Sequence, residues 1–331
     1  MIPHNKPTLG AKEKKTISDI VDSGWVAQGP QVELFENEFC EYLGLDYGHA
    51  LAVSSCTAAT YLALLLSGAE GKRIGMPAYT CTAVRNAVGH IGSEILVDSG
   101  SDTPNININE LNKKDLQYAV IPHMYGIMAD VNKVRKEICL IEDCAQSLGA
   151  EGHRNGNIRN IGVFSFYATK IMTSGGMGGM LVARDKSLIQ EARDYRDFDQ
   201  KVDKKRRFNF QMTDIQAGIG RVQLSLLPEF ISRRWDIYNK YRAAGIKLLA
   251  VNECDVPFRA IMITDDVEGK INRLASSNIK AINPMEDIEI MQNSELAPVA
   301  HGWATKTLSL PIYPSLTDDD VDYIIREVKK L

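Results

Sequence analysis

The chain has 331 residues, 44% hydrophobic and 24% charged, and a formal net charge of −4. That length suits one large domain with an appendage or two modest domains, and the slight acidity supplies no global positive field for nucleic acid or an anionic membrane. Six scattered cysteines (Cys40, Cys56, Cys81, Cys139, Cys144, Cys254) show neither a CxxC pair nor histidines at zinc spacing, so neither a disulfide framework nor a metal site is expected. The N-terminal "MIPHNKPTLGAKEKK" has no secretory or spanning pattern, and a reduced cytoplasm is the expected setting.

Two amphipathic helices are expected first, in "EKKTISDIVDSG" and "QVELFENEFCEYLG" (31–44), joined by the Gly/Pro-punctuated "GWVAQGP". "ALAVSSCTAATYLALLLSG" reads as a strand, a small-residue turn and a helix ending at Gly68. Short apolar runs follow at 73–78, 93–99, 117–126, 137–145 and 161–168, with helical stretches such as "TAVRNAVGHIG" between several of them. Strands alternating with helices indicate an α/β fold with a mostly parallel sheet between helices, and such sheets bind ligands at the carboxyl ends of their strands. "GMLVARD" suggests a returning strand, so 161–184 reads as a strand pair around a loop. From about Met212 a long helical pattern begins, and Thr317 is a good N-cap for a closing helix with acidic first-turn residues. The expected division is a large domain, 1–235, whose N-terminal segment packs with a smaller C-terminal α+β domain, 236–331.

Three stretches sit where strands should end. "SSCTAAT" (54–60) places small and hydroxylic residues ahead of a helix, whose free N–H groups and positive dipole end suit a phosphate. Plain helix capping explains it equally simply, and taken alone is the better account. "LIEDCAQSLGA" (140–150) brings Glu142 and Asp143 to a strand end. Their side chains point to opposite faces, so one can look into a site, although both could equally serve a surface loop. "FSFYATKIMTSGGMGGML" (164–181) sets Lys170 between an apolar run and a glycine-rich turn. A lysine at a hairpin mouth is the ordinary reading; the competing one is a partly desolvated amine able to form a Schiff base, with glycines leaving room for a flat cofactor.

A phosphate cradle, a carboxylate for a ring nitrogen and a lysine, in that order, match the needs of pyridoxal phosphate. On these stretches, together with "SGWVAQGPQVELFENEFCEYLG", "PAYTCTAVRNAV", "GGMGG", "RFNFQMTDIQAGIGRVQL" and "LSLPIYPSLTDDDVDYI", the chain resembles the DegT/DnrJ/EryC1/StrS sugar aminotransferases, which have pyridoxal-phosphate fold type I. The resemblance implies that Lys170 forms the Schiff base, Asp143 pairs with the pyridine nitrogen and Gln146 lies near the ring hydroxyl. Ser165, Cys56 and Thr57 would hold the phosphate. Asn209 matches the asparagine that reaches the neighbouring subunit's cofactor, which implies a homodimer with shared sites. The implied reaction moves an amino group, from glutamate, to a keto sugar carried by a nucleotide. Lys205, Arg206 and Arg207 are candidates for its diphosphate, with a solvated loop slightly the better account of that basic run.

Departures from the family pattern are Cys56 before Thr57 where Gly-Thr is frequent, Cys81 where an aromatic usually stacks on the ring, Gln211 for an arginine and Leu148 for a histidine. The chain is short for the family and matches poorly between Tyr241 and Leu308. Cys56 and Cys81 read as small pocket-wall residues rather than nucleophiles. Alternatives are a sugar dehydratase of the same family, against which Lys170 argues because those relatives carry histidine there, and a non-catalytic sugar-nucleotide binder.

Overall fold

The computed structural model describes residues 1–290 and 292–331, residue 154 by its backbone. Helices α1 (Ala11–Ser23) and α2 (Pro30–Leu43) precede β1 (Ala50–Val53) and α3 (Cys56–Leu66). Then come β2 (Arg73–Pro77), α4 (Thr82–Gly89), β3 (Ser93–Val97), α5 (Ile108–Lys113), β4 (Tyr118–Pro122), β5 (Cys139–Asp143), β6 (Ile161–Ser165), β7 (Gly179–Ala183) and α6 (Lys186–Arg196). The chain closes with α7 (Asp214–Ala243), β8 (Ala260–Ile263), α8 (Val267–Ser276), α9 (Pro298–Lys306), β9 (Thr307–Leu310) and α10 (Asp318–Val328).

The first seven strands form one sheet in the order β1-β7-β6-β5-β4-β2-β3. Among the described residues only β7 runs antiparallel to its neighbours, as the returning strand after the glycines. Its strands are short apolar runs buried on both faces, and each face is covered by helices, the arrangement a parallel sheet requires. On one face α2 and α7 bring Phe35, Phe39 and Leu227 against Phe164 and Phe166. On the other, Leu62 and Leu64 of α3 pack with Leu51, Ile74 and Ile141.

Two buried acids fasten these layers. Asp214, first in α7, accepts from the N–H groups of Gly29 (2.8 Å), Gln31 (3.1 Å) and Val32 (3.1 Å), the last shared with Gly29 O, and so caps the start of α2. Glu36 of α2 accepts from Ala52 N–H at 2.9 Å and from Arg196 of α6 at 2.5 Å.

A second lobe holds the two-stranded β8-β9 sheet with α8 and α10, around Leu274, Leu308, Leu310 and Ile324. α7 serves both lobes: Ala217, Leu224 and Leu227 lie in the first core, Ile237, Tyr238 and Tyr241 in the second. Position 235 therefore falls inside a continuous helix, where no Gly/Pro linker marks a change of lobe. The N-terminal segment lies on the second lobe, Ile2 bridging to Ile279 and His4 bonding Ser309 Oγ at 2.9 Å. Thr317 caps α10 by accepting from Asp320 N–H at 3.1 Å. No described helix is long and apolar enough to cross a membrane.

Candidate active site

The carboxyl ends of β1, β2, β5 and β6 converge on a cavity of about 330 Å³. Its walls include Cys56, Thr57, Cys81, Asp143, Gln146, Ser165 and Lys170. Asn209 lies outside it, as do Lys205, Arg206 and Arg207.

β1 ends directly in α3, with Ser55 as N-cap accepting from Ala58 N–H at 3.1 Å. Cys56 and Thr57, first in the helix, have no carbonyl one turn back to bond, so their N–H groups and the dipole favour an anion there. Ser165, the last residue of β6, shares the cavity with this helix end. Gly179 lets β7 start against it: a Cβ at Gly179 would lie 2.4 Å from the Ser55 carbonyl carbon and 2.5 Å from Cys56 N.

The glycines after Lys170 meet the expectation of open space only in part, Gly178 lining the cavity. Gly179 admits backbone rather than a ligand, and Gly175 has φ +83° with Ile219 where a side chain would go. Only Gly176, at φ +139°, faces open space. The strand is also shorter than the apolar run, ending at Ser165, because the Phe166 carbonyl accepts from Thr173 Oγ1 (3.2 Å) and Ser174 N–H (3.1 Å). Lys170 thus sits half-buried in a turn beyond the strand, its N–H donated to Tyr167 O at 3.0 Å and its Nζ 5.6 Å from the centre of the Phe258 ring.

Asp143 ends β5 and is 8% exposed. Its Oδ1 accepts from Ala145 N–H at 2.9 Å and lies 4.0 Å from Cys56 Sγ, leaving Oδ2 for a ligand. Burial pushes the carboxyl pKa up, against the Ala145 N–H and the neighbouring Lys170 and His123. A cation at Oδ2, such as a protonated ring nitrogen, would compensate that burial. Gln146 Oε1 accepts from Tyr125 N–H at 2.9 Å and Nε2 donates to Met124 Sδ at 3.9 Å, so the amide keeps one Nε2–H donor for the cavity. Tyr125 holds a left-handed backbone, φ 60°, a strain of the kind found at functional sites.

As alternation along β5 requires, Glu142 faces away. Its Oε1 accepts from Arg159 N–H at 2.7 Å, and its Oε2 lies 3.4 Å from His123 Nε2. Ligand atoms of His123, Cys144 and His153 lie within 4.8 Å of one another, the spacing of a metal trap. However, His123 Nδ1 accepts from Ala129 N–H at 3.0 Å, so Nε2 carries the ring proton toward Glu142 and has no lone pair to offer.

Burial raises the Cys56 thiol pKa well above its ordinary value, with Asp143 adding to the shift, so it is no nucleophile at neutral pH. Cys81, the N-cap of α4, is exposed at the cavity wall. Leu148 is buried in the core and Gln211 is half-buried. Asn209 is exposed, its Oδ1 accepting from Gln211 N–H at 3.1 Å, in a loop tied to the end of β1 by Ser54 N–H to Phe210 O at 2.8 Å. Arg207 is committed to Asp194 (2.6 Å) and Asp203 (2.7 Å), so of the basic run only neighbours such as Lys205 and Arg206 remain exposed and uncommitted to a carboxylate. Phe258 and Tyr125 went unnoticed in the sequence; neither sits in a patterned motif, and only folding brings the segment ahead of β8 to Lys170 and the turn after β4 to Gln146.

The family model described as the DegT/DnrJ/EryC1/StrS aminotransferase family matches residues 7–329, including the stretch between Tyr241 and Leu308 that had looked divergent. The chain is 29% identical to the GDP-perosamine synthase of Escherichia coli O157:H7, covering 99% of this chain and 98% of that one. It is 26% identical to dTDP-4-dehydro-2,3,6-trideoxy-D-glucose 4-aminotransferase of Saccharopolyspora spinosa, over 100% and 96% of the two chains. Among solved structures, the aminotransferase TlmJ from Streptoalloteichus hindustanus superposes with a TM-score of 0.89 at 26% identity, covering 100% of this chain and 98% of that one.

Proposed function

Because the chain belongs to the DegT/DnrJ/EryC1/StrS aminotransferase family and is a pyridoxal-phosphate-dependent aminotransferase, we propose that it moves an amino group from glutamate to the keto carbon of a nucleotide-linked sugar, for an amino sugar of a surface glycan. The observation that carries this reading is the meeting of Lys170, Asp143 and the α3 N-terminus in one cavity. The GDP- and dTDP-sugar names of its relatives support the substrate class.

The residues fit the cofactor. The N–H groups of Cys56 and Thr57, with Ser165, would hold its phosphate, Asp143 Oδ2 its ring nitrogen and Gln146 Nε2 its ring hydroxyl. Cys81 would lie against the ring, giving a polarisable sulfur contact in place of aromatic stacking. Bound there, the cofactor supplies an electron sink for the carbon that loses its proton. Asp143, ionised, favours protonation of the ring nitrogen. The Lys170 amine would anchor the cofactor; once displaced by the donor, Nζ takes the donor's α-proton and later delivers a proton to the sugar carbon that receives nitrogen. Phe258, beside Nζ, limits water at the amine.

A homodimer with shared sites is part of the proposal. Tyr167 and Met177, on the cavity wall, are 47% and 50% exposed, and Trp25 and Phe208 are 58% and 59% exposed. Large apolar side chains left in water, two of them on the cavity wall, suit a covering subunit, whose Asn209 would reach the phosphate.

Reduction of the holoprotein with borohydride followed by peptide mapping tests the centre of the reading. A cofactor adduct on Lys170 is expected, and its absence overturns the assignment. Glutamate should then convert the unreduced holoprotein to the amine form, and a panel of keto nucleotide sugars should reverse that conversion.

A further inference from the structure

The segment ahead of α1 crosses from the second lobe to the turn that carries Lys170. It begins on the second lobe, where Ile2 N–H donates to Asn278 O at 2.7 Å and Ile2 O accepts from Lys280 N–H at 2.9 Å. His4 Nε2 then meets Ser309 Oγ of β9 at 2.9 Å. At the next residue, Asn5 Nδ2 donates to the Thr169 carbonyl at 2.9 Å, across 164 positions of sequence. Pro3 and Pro7 fix their own φ and favour extended backbone at Ile2 and Lys6, so the segment reaches the turn as a stiff strap.

The strap continues onto α7. Gln223, buried in that helix, donates through Nε2 to Thr8 O (2.8 Å) and Glu13 Oε1 (2.7 Å), while its Oε1 accepts from Thr173 N–H at 3.4 Å. The turn is therefore held on both flanks of the lysine, at Thr169 through Asn5 and at Thr173 through Gln223. The two flanks are not equivalent. Beyond Lys170, Ile171 and Met172 are buried in the first core, which fixes that side by packing. Ahead of it, Tyr167 and Thr169 are exposed, and among the described residues no backbone N–H bonds the Thr169 carbonyl. The N–H of the same planar peptide goes to Tyr167 O at 3.0 Å, a partner that belongs to the turn and moves with it. Asn5 is what ties that peptide to the rest of the molecule, and the peptide plane sets the direction in which the lysine side chain leaves the backbone.

We infer that Asn5 is a positioning residue for Lys170, its amide anchoring the peptide ahead of the lysine so that Nζ is aimed into the cavity. This rests on the reading that Lys170 carries the cofactor. A lysine joined to a bound cofactor gives up backbone and side-chain freedom, and an anchored peptide has given up part of it beforehand. When the donor displaces the lysine, the same anchor keeps the freed amine within reach of the proton it moves. The Asn5 bond lies at the surface, where water competes, so its effect is that of one ordinary hydrogen bond.

The test titrates apoprotein, by fluorescence, with pyridoxal phosphate, which joins Lys170, and with pyridoxamine phosphate, which fills the same site without that bond. Borohydride mapping of wild type comes first; a missing Lys170 adduct refutes the underlying reading instead. Asn5→Ala should weaken pyridoxal phosphate about 2–10-fold, the worth of one hydrogen bond, and leave pyridoxamine phosphate affinity unchanged. The absorption band of the lysine-bound cofactor should also grow more slowly. Asn5→Asp keeps the shape but removes the N–H donors, and should behave in the same way. In a Lys170→Ala background, Asn5→Ala should change neither affinity, because the group it positions is gone. Equal weakening of both cofactor forms, or an effect that persists without Lys170, overturns the inference. So does a folded Asn5→Ala protein that binds pyridoxal phosphate as wild type does. Should Asn5→Ala not fold, wild-type binding of pyridoxal phosphate by Asn5→Asp overturns it equally.

Discussion

Asp143→Asn pulls apart two quantities that most site substitutions change together. In the protein without cofactor, burial holds the Asp143 pKa above the ordinary carboxylate value, opposed by the Ala145 N–H, Lys170 and His123. An acid whose folded pKa is raised contributes stability that is complete below its unfolded pKa of about 3.9 and is lost as pH rises through the folded value. At neutral pH the wild-type apoprotein therefore carries a desolvation cost that the neutral amide removes. Asn also keeps an oxygen for Ala145 N–H, now accepted by Oδ1 at 2.9 Å. The apoprotein of Asp143→Asn should be at least as stable as wild type in urea at pH 7, with the advantage shrinking as pH falls toward about 4. Cofactor affinity should move the other way. An amide cannot hold a proton on the ring nitrogen, and the lost charged hydrogen bond is worth about 1.5–3 kcal/mol, or roughly 10–100-fold in Kd. Fluorescence titration of the two apoproteins with pyridoxal phosphate measures this without relying on turnover. A variant less stable at pH 7 that binds cofactor as tightly as wild type would refute the reasoning.

Gly179→Ala forces a Cβ to 2.4 Å from the Ser55 carbonyl carbon, where only backbone can yield, and should cost about 1–3 kcal/mol in urea unfolding and weaken cofactor binding. Gly302→Ala, inside α9 with nothing within 4 Å, should raise the urea midpoint, a gain of about 0.5–1 kcal/mol. If the site is shared between subunits, Lys170→Ala and Asn209→Ala homodimers should each be impaired, and hybrids formed by mixing should regain one intact site per dimer; no recovery despite proven subunit exchange counts against sharing. Trp25→Glu should shift wild-type dimers toward monomers in sedimentation velocity, because the exposed indole would otherwise be covered.

The chemistry of the site was largely legible in local sequence because each part rides on its own strand end. Alternation in β5 separates Asp143 from Glu142, a β-to-helix turn leaves the N–H groups of Cys56 and Thr57 unbonded, and an apolar run leads to Lys170. Such signals need only nearest neighbours and the period of a strand or helix. The glycines were legible only in part: Gly178 lines the cavity, whereas Gly179, which looks the same in sequence, admits the backbone of Ser55.

Sequence by itself determined the element types, the buried sheet and the order of the chemical groups along the chain, since these follow from periodicity, capping and turn chemistry. Tertiary structure alone decided which distant residue stands over the amine. Phe258, on the segment between α7 and β8, reaches Lys170 because it packs into the first core, and among the described residues Arg259 has no carboxylate partner, lying instead near His4, Tyr79 and Tyr125. Neither residue belongs to a periodic pattern. Charge balance in an interior depends on what lies close in space, and local sequence carries no measure of that.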